Sequence, residues 1–292
     1  MGSKNSVVAL GIFDGVHLGH RCILEKTISK TASGLKPVVF TFKSSSLTTK
    51  HGRDFKYIYT DGQKEMLLSK IGINEIISEN FNDICNLSGE EFVSEFLVNR
   101  MSAACVVCGN DYRFGKNAEY GAEKLSELCS PYSIEVIRIS DVNMDGEKIS
   151  SQQIRELLIY GAVNTVNELL GRRYFIMQDV EQGNKIGRTI GFPTINQKFA
   201  EGQLIPKLGV YATNVTIDGE EYKGVTNIGK KPTISDNNEI VAETHILGFE
   251  GDLYGRTVEV CFENFMRSEI KFASVEDLKA RIRSDIQHRL TI

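Results

Sequence analysis

Hydrophobic and polar positions follow one period in the first half of the chain and another in the second. In the first half, short apolar runs of the β type alternate with stretches whose apolar residues recur at the spacing of a helix face. The strand-like runs are VVALGIF, KPVVFTF, NEIIS, ACVVCG and IEVIRIS, and the helical stretches are HRCILEKTISKT, DGQKEMLLSKI, SGEEFVSEFLVNRM and AEKLSELC. Strands separated by helices predict an α/β unit with a doubly wound parallel sheet, on which ligands bind at the carboxyl ends of strands.

The pattern changes after ISSQQIRELLIYGAVNTVNELLG, which predicts two helices broken at Gly161. Extended runs follow, namely RYFIMQDV, GVYATNVTI, EEYKGVTNI, AETHILGF and GRTVEVCF, and the DGEE stretch predicts a tight hairpin. These features indicate an antiparallel barrel or sandwich. The last stretch, SVEDLKARIRSDIQHRL, predicts a terminal helix with Ser274 as its N-cap. We place the boundary near Gly171, which divides the chain into domains 1–170 and 171–292.

The composition narrows the class of protein. The chain has 292 residues, of which 41% are hydrophobic and 25% are charged, enough for two globular domains with cores of their own. Because no apolar run reaches the roughly 18 residues of a membrane span, we expect a cytoplasmic enzyme with no membrane partner. The net charge of −4 argues against a nucleic-acid partner, which would need clustered lysines and arginines. A monomer or weak homo-oligomer is expected.

The six cysteines are spaced irregularly and follow no secretory signal, which predicts free thiols rather than a disulfide framework. Cys105 and Cys108 form a CxxC pair, but no second pair or nearby histidine accompanies them. We interpret them as buried strand residues rather than as zinc ligands. The opening MGSKNS matches an N-myristoylation pattern at Gly2, but we favour a Met-Gly-Ser cloning remnant as its explanation.

The stretch GIFDGVHLGH joins the first predicted strand to the first predicted helix, where backbone N–H groups and a helix N-terminus attract phosphate. Gly11, Gly15 and Gly19 permit a close approach of the backbone to a ligand. His17 and His20 lie one helical turn apart and can point at the same oxygen atoms. A metal site, a packed pair and a phosphate cradle each remain possible at this point, although a metal would need a third ligand.

A second stretch, ISSQQIRELL, follows the last strand of the same domain and opens a helix. Ser150 and Ser151 offer hydroxyl and N–H groups at its start, and the guanidinium of Arg155, one turn further on, suits bidentate contact with phosphate. Taken alone, an N-capped surface helix explains this stretch better.

Together the two stretches resemble the HxGH nucleotidyltransferases, whose second signature is an ISS-x-x-IR motif, and GIFDGVHLGH is similar to the FMN adenylyltransferase branch. GNDYRFGKNAEYG at 109–121 is similar to the GxDFRFG segment of that branch, while Gln152 departs from the usual threonine or serine. We expect this departure to change triphosphate contacts only modestly. The resemblance implies catalytic roles for His17, His20 and Arg155, nucleotide contacts from Gly11, Phe13, Asp14, Gly15, Gly19, Asn110, Asp111, Ser150 and Ser151, and flavin contacts from Arg113 and Phe114.

In that reaction the FMN phosphate attacks the α-phosphorus of ATP in line, and negative charge grows on the equatorial oxygens and on the departing pyrophosphate. The two histidines would donate hydrogen bonds to those oxygens. The resemblance therefore favours the phosphate cradle over the metal site.

The second half carries its own polar cluster in KIGRTIGFPTIN. Gly187, Gly191 and Pro193 predict a shaped loop, and Thr194 and Asn196 offer oxygen ligands of the kind that magnesium nucleotides recruit. No stretch places Ser or Thr after a P-loop lysine, so the pattern excludes a Walker A kinase. A structural turn between barrel strands is the alternative.

The stretch AETHILGFEGDLYG carries Glu243 and His245, which share one face of a strand. A carboxylate that faces a cleft is a candidate general base for a substrate hydroxyl, whereas a hydrated surface glutamate is the simpler interpretation of any single residue.

As a set, GRTIGFPTIN, GVYAT, NIGKKPT, the AETHILGFEGDLYG stretch and MRSEIKF resemble riboflavin kinase over residues 172–290. The resemblance implies a β-barrel in which Thr194 and Asn196 bind Mg²⁺ and ATP phosphate and Glu243 deprotonates the ribityl hydroxyl of riboflavin. It further implies nucleotide contacts from Gly187, Arg188, Gly191 and Pro193, and flavin contacts from Arg267 and Glu269.

The two halves in this order resemble the bacterial bifunctional riboflavin kinases and FAD synthetases. The resemblance implies a transferase that uses ATP and Mg²⁺ to convert riboflavin into FMN and FMN into FAD. One alternative keeps only the adenylyltransferase active, with the barrel as a flavin-binding module. The others are a non-enzymatic flavin-nucleotide sensor and a transferase for another phosphate ester, such as phosphopantetheine.

Overall fold

The computed structural model describes residues 4–47, 55–183, 186–230 and 239–292. Its contacts divide the chain into two compact units, Met1–Ser151 and Gln152–Ile292. The Gly2 motif, Lys185 and residues 231–233 of NIGKKPT lie outside the described residues. No helix in the described ranges is both long and apolar enough to span a bilayer.

The contact boundary falls before the predicted boundary at 170/171, because the helices between the two positions pack with the barrel. Asn167, on the second of these helices, accepts a hydrogen bond from the Tyr174 N–H at 2.7 Å and donates one to the Phe262 carbonyl at 2.9 Å. The functional division of the chain at 170/171 stays a prediction.

The first unit is built on a parallel sheet with the strand order β3-β2-β1-β4-β7. Its strands are β1 (Ser6–Leu10), β2 (Lys36–Phe42), β3 (Glu75–Glu79), β4 (Ala103–Gly109) and β7 (Glu135–Ile139). All five residues of β1 are buried, as expected for a central strand covered on both faces. The doubly wound parallel sheet is thus confirmed, and its strand order reverses between β1 and β4, where open α/β sheets bind ligands.

Helices and short hairpin strands connect these strands. The helices are α1 (Leu18–Ser29), α2 (Asp61–Ile71), α3 (Phe81–Ile84), α4 (Gly89–Glu91), its π-helical continuation Phe92–Arg100, and α5 (Ala122–Cys129); the two-residue strands are β5 (Arg113–Phe114), β6 (Tyr120–Gly121), β8 (Asn143–Met144) and β9 (Glu147–Lys148). Local chemistry sets the ends of α2. Thr60 and Gln63 form a reciprocal capping box at its start, and Gly72 ends it with φ of 104°.

The second unit contains a six-stranded antiparallel sheet in the order β10-β15-β12-β13-β14-β11. Its strands are β10 (Tyr174–Asp179), β11 (Ile195–Lys198), β12 (Gly209–Ile217), β13 (Glu220–Lys230), β14 (Ile240–Ile246) and β15 (Thr257–Arg267). An antiparallel bridge between Glu181 and Asn196 joins the two edges, so the sheet nearly closes into a barrel. The barrel is therefore confirmed over the sandwich.

Three of the helices described in this unit follow the predicted signals, whereas a fourth, of 4 residues, falls in a stretch predicted as a loop. The four are α6 (Ser151–Tyr160), α7 (Val163–Leu170), α8 (Ile186–Thr189) and the terminal α9 (Val275–Thr291). Gly161, with φ of 81°, separates α6 from α7, and the Ser274 hydroxyl accepts a hydrogen bond from the Asp277 N–H at the start of α9. Asp218 and Gly219 have φ of 51° and 88°, which a primed hairpin turn requires.

Candidate active sites

The turn between β1 and α1 holds an unusual backbone conformation. Phe13 and Val16 have φ of 54° and 42°, a region that side chains other than glycine seldom occupy, and Gly15 between them has φ of 84°. Burial of both apolar side chains holds the turn in place. The Asp14 carboxylate accepts hydrogen bonds from the Ile58 N–H at 3.0 Å and the Tyr59 N–H at 3.4 Å. This aspartate braces the turn, and its predicted nucleotide contact stays a prediction.

The two histidines meet at the start of α1. His17 is the N-cap, and its Nδ1 accepts a hydrogen bond from the His20 N–H at 3.3 Å. The rings stack with centroids 3.6 Å apart and planes 18° from parallel. Since Nδ1 of His17 is an acceptor, the neutral ring carries its proton on Nε2. A Cβ on Gly19 would lie 3.1 Å from the His17 ring, so glycine there leaves the ring its space.

A cavity of about 170 Å³ lies at the switch point of the sheet, where the β1–α1 turn, the ends of β4 and β7 and the start of α6 meet. Six of the predicted site residues line it, namely His17, Gly19, His20, Asp111, Ser150 and Ser151. The Ser151 hydroxyl also donates to the Asp14 carbonyl at 2.8 Å, which ties the two motifs together. The structure therefore brings GIFDGVHLGH and ISSQQ to one cavity.

Lys148 is a lining residue that the sequence analysis missed. Its ammonium group lies 2.5 Å from Asp111 and 2.8 Å from Asp141, both of which line the same cavity. Partial burial opposes the charge, but the hydrogen bonds to the two aspartates raise the pKa of Lys148. Among the described residues that line the cavity it is the only lysine or arginine. Its position two residues before Ser150 was the one available signal.

The predicted flavin residues of this unit lie elsewhere in the structure. Arg113 donates to the Ala118 carbonyl at 2.9 Å and to the Glu119 carbonyl at 3.1 Å, within its own loop. Phe114 is buried and packs against Phe92, Tyr112 and Tyr120. Their flavin contacts stay predictions.

The remaining predicted residues of this site contact neighbouring backbone and rings. The Asn110 N–H donates to the Ile139 carbonyl at 3.1 Å, and the Phe13 ring meets the His20 ring edge-on at 5.3 Å. A Cβ on Gly11 would lie 2.9 Å from the Phe13 ring. Arg155 lies on α6 and belongs to the second compact unit, so its catalytic role also stays a prediction.

In the second unit, a loop with internal contacts joins the short helix α8 to β11. The Phe192 N–H donates to the Gly187 carbonyl at 2.8 Å, and a Cβ on Gly187 would meet the Phe192 carbonyl oxygen. Gly191 has φ of 89°, which favours glycine. The Pro193 carbonyl accepts a hydrogen bond from Nδ1 of His245 at 2.7 Å.

This loop delivers its polar residues to a cavity of about 330 Å³ in the barrel unit. Thr194, Asn196 and Glu243 all line it, and Asn196 stands opposite Glu243 in the pairing of β11 with β14. The Asn196 side chain is 6% exposed, and its Oδ1 has no hydrogen-bond partner among the described residues. A Cβ on Gly183 would lie 2.6 Å from that amide, so only glycine leaves room for it there. The site thus offers a buried oxygen that accepts no hydrogen bond from the described residues.

The rest of the cavity is largely apolar. The aliphatic and aromatic side chains that line it are Ile190, Phe192, Val210, Val225, Ile270, Phe272, Leu278 and Ile282. Leu278 and Ile282 come from α9, so the terminal helix forms part of the wall. An apolar cavity with a few converging polar groups is the usual form of a site for a flat organic ligand.

Arg267 and Glu269 also line the cavity, and their flavin contacts stay predictions. Arg267 donates two hydrogen bonds to the buried Asp285 of α9, from Nε to Oδ1 at 3.0 Å and from Nη2 to Oδ2 at 2.6 Å. This bidentate geometry fixes the guanidinium. Sequence patterns gave no sign of the Asp285 partner.

A smaller cavity of about 70 Å³ adjoins the loop on its other side. Arg188, Pro193 and Thr194 line it together with side chains that include Phe249 and Tyr254. Thr194 lines both cavities. Of the predicted residues, Gly191 shapes the loop but lines neither cavity.

The folds and cavities define a class of protein: a two-unit transferase with an HxGH motif at a cavity of a parallel sheet and a second cavity in a β-barrel. The family model described as FAD synthetase matches residues 2–153, and the model described as riboflavin kinase matches residues 170–292. The chain belongs to the family of bifunctional riboflavin kinase/FMN adenylyltransferases.

Individual relatives agree with this assignment. The bifunctional riboflavin kinase/FMN adenylyltransferase of Listeria monocytogenes is 35% identical, over 97% of this chain and 91% of its own length. The protein of the same name from Bacillus subtilis is 32% identical, over 98% and 92%. A crystal structure named "Macrolide-efflux Protein" from Streptococcus pneumoniae superposes with a TM-score of 0.87 at 32% identity, over 98% of this chain and 94% of that one.

Proposed function

We propose that this chain makes FAD from riboflavin in two steps, each of which consumes ATP. The barrel unit phosphorylates riboflavin to FMN, and the parallel-sheet unit transfers the adenylyl group of ATP to FMN with release of pyrophosphate. The observation that carries the proposal is the convergence of each motif set on its own cavity, with Glu243 and Asn196 in one and the paired histidines in the other. The curated relatives carry the same two activities in their names.

In the kinase step, Glu243 accepts the proton of the ribityl hydroxyl as that oxygen attacks the γ-phosphorus of ATP and the bond to ADP breaks. The apolar wall suits the isoalloxazine ring, and the smaller cavity suits the nucleotide. Thr194, which lines both cavities, then lies between the two reactants.

Mg²⁺ fits the oxygen ligands of this site. The buried Oδ1 of Asn196 has no hydrogen-bond partner in the described part of the chain, and Thr194 lines the same cavity. Side-chain oxygens of this kind are the ligands that Mg²⁺ takes alongside phosphate. When bound, the ion would neutralise charge on the transferred phosphoryl group.

In the adenylyl step, Nε2 of His17 donates to a phosphate oxygen of ATP as the FMN phosphate attacks the α-phosphorus. The tautomer imposed by the Nδ1 acceptor makes His17 a neutral donor. Ser150 and Ser151 line the same cavity and offer hydroxyl and N–H groups to the departing pyrophosphate.

We further infer a cytoplasmic location, a monomer or weak homo-oligomer, and no nucleic-acid partner. The net charge of −4 supports the last point, because nucleic acids bind to basic surfaces.

An end-point separation of flavins tests the two activities together. The protein is incubated with riboflavin, ATP and Mg²⁺ beside His17→Ala and Glu243→Ala variants. We expect the unaltered protein to give FMN and then FAD, His17→Ala to accumulate FMN, and Glu243→Ala to make none. If FAD forms only from supplied FMN, the barrel is a flavin-binding module and the kinase assignment is refuted.

A further inference from the structure

The strand pairing next to Glu243 ends in an unusual way. The backbone register of β11 with β14 runs from Lys198 opposite Val241 to Ile195 opposite Thr244. One step further, Thr194 would stand opposite His245, but the pairing of the two strands ends at Ile195. Where the pairing ends, the imidazole of His245 contacts the incoming chain, with Nδ1 2.7 Å from the Pro193 carbonyl oxygen.

The direction of this hydrogen bond follows from its chemistry. A carbonyl oxygen can only accept, so Nδ1 of His245 carries the proton. The Phe192 ring stands edge-on to the imidazole, with centroids 5.8 Å apart and planes at 86°. A second hydrogen bond, which the Phe192 N–H donates to the Gly187 carbonyl at 2.8 Å, holds the start of the loop. His245 therefore fixes the loop where it enters β11.

We propose that His245 is a positioning residue for the kinase reaction. It holds the loop at 192–194 so that the Thr194 hydroxyl stays between the larger, flavin cavity and the smaller, nucleotide cavity. The inference rests on the proposed function. His245 shares a strand face with Glu243, so β14 orients both the general base and the loop that meets the nucleoside triphosphate. His245 also lines the larger cavity, and a direct contact with substrate is the competing explanation.

Three substitutions separate these explanations. His245→Asn keeps an N–H donor close to the position of Nδ1, His245→Gln moves the donor one bond further out, and His245→Ala removes it. Initial rates of FMN formation are measured against ATP concentration at saturating riboflavin. We expect His245→Ala and His245→Gln to raise KM for ATP about tenfold, the effect of one lost hydrogen bond, and His245→Asn to stay within about threefold of the unaltered protein.

A double-mutant cycle with Thr194→Ala tests whether the imidazole acts through the threonine. If it does, His245→Ala adds less than about twofold to KM in the Thr194→Ala background, whereas independent roles multiply their effects. The rate of FAD formation from supplied FMN, catalysed in the other unit, should stay within about twofold in every variant, and thermal unfolding of each variant reports whether the barrel is folded.

The outcomes divide cleanly. The positioning role would be overturned if His245→Asn and His245→Ala had the same KM for ATP, or if the effects of His245→Ala and Thr194→Ala on KM simply multiplied. Either result would leave the kinase assignment intact. Absence of FMN formation by the unaltered protein refutes the proposed function itself and the inference with it. If His245→Ala does not fold, the comparison of His245→Asn with His245→Gln decides the question, because both side chains are amides.

Discussion

Asn196 and Glu243 lie directly opposite each other on the neighbouring antiparallel strands β11 and β14, and both line the larger cavity of the barrel. Residues opposite each other in such a pair have Cβ atoms about 5 Å apart and point to the same face of the sheet. Strand pairing alone therefore places a candidate ligand for Mg²⁺ beside a candidate base.

The first prediction concerns that base. Glu243→Gln keeps the shape of the side chain but cannot accept a proton, so FMN formation should fall about 10²- to 10⁴-fold. Formation of FAD from supplied FMN should not change. Rates of both steps, measured by flavin separation, check this. Glu220→Gln, at the exposed hairpin, serves as the matched control. A Glu243→Gln protein with undiminished kinase activity would remove Glu243 from the mechanism.

The second prediction concerns the space beside Asn196. Gly183→Ala would place a Cβ 2.6 Å from the Asn196 amide, closer than real Cβ contacts come, so the amide must move. We expect about a tenfold loss of kinase activity and a higher Mg²⁺ concentration for half-maximal rate. Gly62→Ala, where the added methyl group meets nothing within 4 Å, is the control and should leave both activities unchanged. An unaltered Mg²⁺ dependence in Gly183→Ala would count against Asn196 as a ligand.

Most of the architecture could be predicted from the sequence, because apolar residues recur with a regular spacing in each unit. The parallel sheet follows from buried apolar runs between helices, and the hairpin at Asp218-Gly219 follows from turn chemistry. Strand β11 was missed, because INQK is short and its two adjacent buried residues, Asn196 and Gln197, are both polar, which hides any alternation. The strand whose Asn196 bridges to Glu181 and closes the barrel was thus interpreted as a loop.

The candidate sites were predicted less evenly. Motif spacing placed both histidines, Thr194, Asn196 and Glu243 at cavities, since those residues sit at strand ends or share one strand face. Lys148 and Asp285 were missed, because each matters through a long-range ion pair that no local pattern encodes. Sequence also could not indicate that Arg113 bonds to its own loop.

The third prediction separates the two roles of His17, which caps α1 through Nδ1 and faces the cavity. His17→Asn keeps a capping acceptor but removes the Nε2 donor, so thermal stability should hold while adenylyl transfer falls about 10²-fold or more. His17→Ala should lose the cap as well, at about 1 kcal/mol. Denaturant unfolding and FAD formation are measured on both variants. Normal adenylyl transfer by His17→Asn would show that the ring is only a cap.

The fourth prediction concerns the CxxC pair. Cys105 and Cys108 lie on β4, as expected, where residues three apart point to opposite faces, so no disulfide joins them without breaking the strand. Burial raises the pKa of Cys105 to about 11 and that of Cys108 to about 12. Because a raised pKa lowers the thiolate fraction, roughly a thousandth or less of each of these two cysteines is in the reactive thiolate form at pH 8.

Iodoacetamide should modify Cys105 and Cys108 only after denaturation, while half-buried Cys22 and Cys85 react first. Mass spectrometry of peptides checks this, and rapid native labelling of Cys108 would contradict it.

The last prediction concerns the contact between Arg267 and Asp285. Both are largely buried, at 13% and 5% side-chain exposure. Asp285 also lies 3.1 Å from Arg281, so Asp285→Asn leaves two guanidinium groups without this counter-charge. Breaking a buried pair in this way typically costs about 3–5 kcal/mol. If Arg267 also contacts the flavin, KM for riboflavin should rise more than KM for ATP, since the helix that carries Asp285 forms the apolar wall. Urea unfolding and kinase kinetics are measured together, with Glu276→Gln on the exposed first turn of α9 as the control. Equal changes in both KM values would assign the pair to the fold alone and withdraw Arg267 from the flavin site.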